Sequence, residues 1–249
     1  MPVHKSPVIV LQCIDWSESS QVVHILSREA GLIRALAKGS RRGLNPFSGP
    51  LDRWVLGDAV FSLTDPNRLS TLMELAETRR FEGLRRHLPA FYAASMVTEL
   101  VLAMVPEADR QPDVFDLVSE TLSLLSEADP DACRALAFAF ALRLLAILGY
   151  GADMTVCVGC GEAMDAQRPM DYSAGMGGPV CPQCRPQGAG RIHHLTGKAA
   201  QAMSFLVAAT WPEVCRVRLS DATADQVRAV LGARVAELAG KQPAALRYV

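Results

Sequence analysis

The amino-acid sequence predicts an α+β protein: a small β-barrel, then a mainly helical domain with a loop-rich insert between its helices. Three observations carry this. Short, partly β-branched segments recur through the first 80 residues, and a helical apolar period takes over from about residue 91. Residues 150–190 then crowd together eight of the eighteen glycines and four of the seven cysteines.

The first strands are expected at Val8–Cys13, Gln21–Leu26 and Leu32–Ala37, separated by the turn-forming runs DWSES, REAG and KGSRRG. Val55–Leu63 supplies a fourth. Leu69–Glu77 is a fifth candidate for which helix is the rival, because Leu, Met, Glu and Ala favour helix. Five short strands in 80 residues fit a small barrel of the OB type, although periodicity alone does not choose it over another small β-fold. Residues 1–80 are therefore the expected barrel domain, and 81–249 the helical domain with its insert at about 150–190.

Phe91–Val105 is apolar on a wide face and stops at Pro106, and Pro112–Glu127 follows. The third helix should take Asp129 as N-cap, Pro130 as first residue and Gly149 as C-cap. Being apolar nearly all round, it belongs in the middle of the helical core. Helices resume after Thr196 and after Thr223, where Thr223 and Gln226 have capping-box spacing. The insert should be loop, with His193 and His194 as loop residues before a helix.

Half of the 249 residues are hydrophobic and a fifth are charged, an ordinary globular balance. The apolar run Val8–Leu11 is too short for an export signal, and Arg134 and Arg143 interrupt the most apolar stretch, Ala132–Leu148. A cytoplasmic protein without a membrane span is expected. Its seven cysteines then speak against a disulfide framework and for metal binding.

The pattern CVGC, twenty residues, CPQC points to one structural zinc ion held by Cys157, Cys160, Cys181 and Cys184. A two-residue gap lets one tight turn aim two thiolates at a point, and zinc takes four such ligands in a tetrahedron. Gly159 and Gly161 would relieve strain in the first turn, while Gly177, Gly178 and Pro179 shape the approach to the second. Four thiolates fill the shell and leave no place for a catalytic water, so the role is structural.

The net charge of −1 hides an asymmetry, a formal +3 over residues 1–86 and −4 over 87–249. Arg34, Lys38, Arg41 and Arg42 fall within nine residues with no acid among them, and Arg53 adds to this candidate DNA-binding patch. Gly39, Ser40 and Gly43 would leave its end flexible, with backbone amides free to approach a phosphate. Four phosphate contacts would give a duplex log–log salt slope of roughly −3.6. A second group, Arg79, Arg80, Arg85 and Arg86, is diluted by Glu77 and Glu82. Of the aromatics in this region, Trp16, Phe47, Trp54 and Phe61, some must be core, so affinity should be mainly electrostatic. No Walker A, nucleophile-elbow, zincin or dinucleotide pattern is present, and no enzyme is expected.

The order of these features resembles the RecO family of DNA repair and recombination proteins. The resemblance lies in VLQCIDWSESSQVVHILSREAGLIRALAKGSRR, then FSGPLDRWVL, then a Gly149–Tyr150 pair followed by CVGC…GGPVCPQC. It covers nearly the whole chain. It implies an N-terminal OB-fold, a helical C-terminal domain with a zinc module, and a non-enzymatic, nucleoid-associated recombination mediator. Such proteins bind single- and double-stranded DNA, anneal complementary strands and engage single-stranded DNA-binding protein. With RecR they help load RecA. By motif, Lys38, Arg41 and Arg42 would be DNA contacts and the four cysteines zinc ligands. The alternative is a zinc-stapled protein–protein adaptor with little DNA affinity of its own.

Overall fold

The computed structural model describes residues 3–43, 45–47, 49–63, 69–186 and 192–249. Ser48 of the FSGPLDRWVL motif and two insert glycines, Gly188 and Gly190, lie outside them. The chain forms two compact units, one of residues 1–82 with 105–123, the other of residues 83–104 with 124–249.

In the first unit β1 (Val3–Asp15), β2 (Gln21–Ser27), β3 (Gly31–Ala37), β4 (Val55–Ser62) and β5 (Ser70–Arg80) make a closed barrel in the order β1-β2-β3-β5-β4. β3 pairs with β5 in parallel, and β4 closes the circle antiparallel to β1. This is the OB arrangement. Strand, not helix, is therefore the state of the fifth segment: its inward Leu72 and Leu75 join a core whose other members include Val10, Ile25, Ile33 and Phe61. Tertiary burial overrides its helix-favouring composition. β1 is also longer than Val8–Cys13, because its first half pairs with β4 and its second half with β2, with a bulge between Val10 and Gln12.

Segment 105–123 is tied to the β2–β3 hairpin. The Ala108 N–H donates to the Leu32 carbonyl at 2.9 Å, and Arg28 grips Asp116 through two nitrogens. Gly31, at φ +73°, leaves room for this strap, since a Cβ there would lie 1.9 Å from the Asp109 carbonyl oxygen.

In the second unit α3 (Pro130–Ile147) packs against α1 (Leu88–Met104), α4 (Gly197–Ala208), α5 (Trp211–Arg216) and α6 (Asp221–Ala239). Another helix, α2 (Pro112–Glu127), starts in the first unit and ends in the second. The central position expected for the third helix is thus observed. Its two arginines have structural partners: Arg143 donates to the carbonyls of Leu206 and Ala209 at the end of α4, and Arg134 to Val249 and Asp221. No described helix is long and apolar enough to cross a membrane.

Helix ends differ from expectation in three places. α1 begins at Leu88 rather than Phe91. The C-cap of α3 is Leu148, with Gly149 one residue beyond at φ +81°. There the Gly149 and Tyr150 N–H groups return to Ala146 and Leu145, a Schellman closure. α6 is capped by Ser220, whose hydroxyl accepts from the Thr223 amide. Thr223 thus lies inside the first turn, and Gln226 reaches across to accept from the Thr196 amide at 2.8 Å. Thr196 does cap α4, accepting from Ala199.

The insert is not all loop. β6 (Met170–Ser173), β7 (Gly178–Val180) and β8 (Ile192–Leu195) form a sheet in the order β7-β6-β8, and His193 and His194 are strand residues in it. Such short strands, rich in Gly and Pro, carry too little period for the sequence to announce them.

Candidate functional site

Two clusters stand out, one in each unit. In the insert, Cys157 and Cys160 flank one tight turn, closed by the Gly161 N–H on the Cys157 carbonyl at 2.9 Å. Cys181 and Cys184 flank another, closed by the Cys184 N–H on the Cys181 carbonyl at 3.1 Å. The Val158 N–H donates to the Pro179 carbonyl at 2.9 Å and ties the two turns together. All four sulfurs lie within 4.8 Å of one another. The Cys160–Cys181 separation is 3.8 Å. Metal–sulfur bonds of about 2.3 Å in a tetrahedron require edges of about 3.8 Å, so the cluster has the dimensions of a four-thiolate metal centre.

The glycines act through space more than through strain. A Cβ on Gly159 would lie 2.7 Å from Cys184 Cβ and 2.9 Å from its sulfur. One on Gly178 would lie 2.2 Å from a Val158 methyl. Only Gly161 and Gly177 of this group hold positive φ. The thiols are electrostatically unequal. The Cys181 N–H, 3.3 Å from Cys157 sulfur, heads the hydrogen bonds that draw the Cys157 thiol down to about 6. Cys184 is pushed up to about 12, first by its contact with Cys160 and then by Cys181. Four thiolates in so small a space need a cation to neutralise them, and the residues fit one. No His joins them: His194 bonds Asp171 instead.

In the barrel unit, alternation along β3 turns Ile33, Ala35 and Ala37 inward and Arg34 outward, while Lys38 is exposed just beyond the strand. The turn that follows is held firmly. Gln21, buried in β2, accepts from Ser40 Oγ and from the Leu51 N–H at 3.0 and 2.9 Å and donates to the Leu51 carbonyl. The amides of Gly39, Ser40, Arg41 and Arg42 are all engaged, by Ser20 Oγ and by the carbonyls of Ala37, Ser19 and Gly39. This corrects the expectation of free amides at Gly39 and Ser40: from Gly39 to Arg42 it is the side chains that remain to meet an anion.

Those side chains divide into pairs and free ends. Arg34 sits 3.6 Å from Glu107 and Arg41 2.8 Å from Asp15, yet both guanidinium-bearing chains keep about 40% exposure (42% and 39%). Lys38 and Arg42 are exposed and form no ion pair among the described residues. Arg53 lies over the Trp54 ring, 4.4 Å from its centroid. In the second basic group, Glu77 takes both arms of Arg80, and Arg79 bonds Ser123 Oγ. The acids Glu107 and Asp15 could not be read as partners from sequence: one is 73 positions from Arg34, the other 26 from Arg41.

Comparison with known proteins identifies the family. Residues 1–79 match the family described as "Recombination protein O N terminal", and residues 85–247 match "Recombination protein O C terminal". The DNA repair protein RecO of Symbiobacterium thermophilum is 30% identical over 236 residues, covering 94% of this chain and 92% of that one. That of Desulfosudis oleivorans is 30% identical over 247 residues with the same coverages, 94% and 92%. The RecO of Rhodopirellula baltica is 35% identical over 181 residues, 72% of this chain and 66% of its own. Matched in order by both family models across nearly its whole length, this chain belongs to the RecO family of DNA repair proteins.

Proposed function

We propose that this RecO-family protein is a non-enzymatic recombination mediator. It binds single- and double-stranded DNA, anneals complementary strands and helps load recombinase on coated single strands. The barrel, residues 1–80, is the DNA-binding domain, and 81–249 is the helical domain, carrying one structural zinc ion at Cys157, Cys160, Cys181 and Cys184. RecR, single-stranded DNA-binding protein and, indirectly, RecA are its partners on grounds of family, and it acts in the cytoplasm on nucleoid DNA.

The observation that carries this reading is the cationic row formed by β3 and the turn after it. Lys38 and Arg42 face solvent and have no acid partner among the described residues. Arg34, Arg41 and Arg53 supplement them, because an exposed ion pair is worth only about 0–1 kcal/mol and exchanges cheaply for a phosphate. Two to five contacts then give a duplex log–log salt slope between about −1.8 and −4.5, gentler on single strands. Fluorescence anisotropy with both strand forms across a salt series measures it. Arg41→Glu with Arg42→Glu should abolish salt-sensitive binding while the melting curve stays nearly unchanged. Undiminished binding in that variant would remove the row from the DNA interface.

The pairing of Arg34 with Glu107 and Arg41 with Asp15 favours a second reading, a zinc-stapled adaptor with little DNA affinity. The absence of any complex at low salt and micromolar protein would select it.

A further inference from the structure

The barrel unit has six Phe and Trp side chains, and five of them are core. Phe47, Trp54, Phe61, Phe81 and Phe115 are at most 4% exposed, whereas Trp16 is 67% exposed. A lone exposed apolar side chain is ordinary; what distinguishes Trp16 is its place beside the cationic turn.

The surroundings of Trp16 are built and shared with the cationic turn. Trp16 sits in the β1–β2 connection, its backbone N–H donating to the Ser20 carbonyl at 3.0 Å. Ser19 and Ser20 of that connection hold the basic turn directly, through the Arg41 N–H on the Ser19 carbonyl at 3.2 Å and the Gly39 N–H on Ser20 Oγ at 3.1 Å. Asp15, next to Trp16 in the chain, grips Arg41 at 2.8 Å. The indole and the free cations Lys38 and Arg42 therefore belong to one hydrogen-bonded end of the barrel.

We infer that Trp16 is a stacking platform for an unpaired base, set beside cations that hold the strand's phosphates. This rests on the reading of Lys38 and Arg42 as phosphate contacts. The local acids argue for it: Asp15 and Glu18 discourage further phosphate contacts in the connection, while a neutral ring can still take a base. A base in a duplex has both faces occupied by its neighbours, so the platform rewards single strands alone. Every base has a π-face, so it does so with little sequence preference.

The test is anisotropy titration of the full chain with a labelled oligothymidylate and with a labelled duplex of the same length. Trp16→Ala should weaken oligothymidylate binding about 5- to 140-fold, the range for loss of one stacked base, and change duplex binding less than about twofold. Trp16→Phe should restore most of the single-strand affinity, and the salt slope should be the same in all three proteins. Equal losses on both strand forms, or no loss on oligothymidylate, would overturn the platform. Arg41→Glu with Arg42→Glu separates the two ideas. If that pair leaves binding intact while Trp16→Ala reduces it on single strands, the stacking stands and the cationic reading falls.

Discussion

The barrel and the cysteine insert solve the same problem by opposite means. The barrel buries Val8, Val10, Val23, Ile25, Phe61 and their neighbours almost completely and closes its sheet through the short parallel pairing of β3 with β5. Among the described residues the insert has three short strands, and its two turns are braced on each other and converge on four sulfurs. A chain segment can be fixed by apolar area or by a few strong bonds to an ion. The insert buries a few apolar side chains, Met154, Tyr172 and Val180 among them, and its four sulfurs are placed for the second means.

The largest effect should come from breaking the sulfur centre. Structural zinc contributes on the order of 10–16 kcal/mol in isolated fingers, and its ligands bind as thiolates. Cys181→Ser, chelation or acid should therefore release the metal and open residues 150–190 to protease, as metal analysis and limited proteolysis will read. Acid acts in this direction because protons compete with the ion for sulfur. Oligonucleotide binding should survive, and its loss would show that the two regions are not independent.

The converse experiment empties the barrel core. Phe61→Ala removes a buried ring and should cost about 3–5 kcal/mol, lowering the barrel's melting transition and with it DNA binding. Metal content should remain at one ion per chain. A smaller change sharpens the contrast within the barrel itself. Gln21→Leu strands the Leu51 N–H and Ser40 Oγ, at about 1–3 kcal/mol, and frees the turn that carries Lys38 to Arg42. Amide hydrogen exchange at Gly39 to Arg42 should accelerate well beyond the change in global stability.

Legibility in the sequence followed the range of the interaction. Four barrel strands announced themselves as β-branched runs between turn-forming residues, and the four cysteines by two-residue gaps that a single turn enforces. The caps were harder, because Ser220 and Thr223 compete for one role over three residues and Gln226 is claimed by Thr196, thirty positions away. Two of the occupied amides of Gly39 to Arg42 were hidden for the same reason: Ser20 Oγ accepts from Gly39 and the Ser19 carbonyl from Arg41, both across the sheet from the preceding connection. Which aromatic stayed outside was likewise decided by barrel closure, which buries Phe47, Trp54 and Phe61 and omits Trp16.

The strap of residues 105–123 has a bearing on how this protein is dissected. Residues 1–82 carry a formal charge of +1, whereas the strap carries −4 and supplies the counter-charge for Arg28, Arg34 and, through Glu29, a tether by Arg110. A fragment ending after β5 discards that acidity and uncovers Gly31. It should grip polyanions more tightly than the intact chain does, while tolerating less heat.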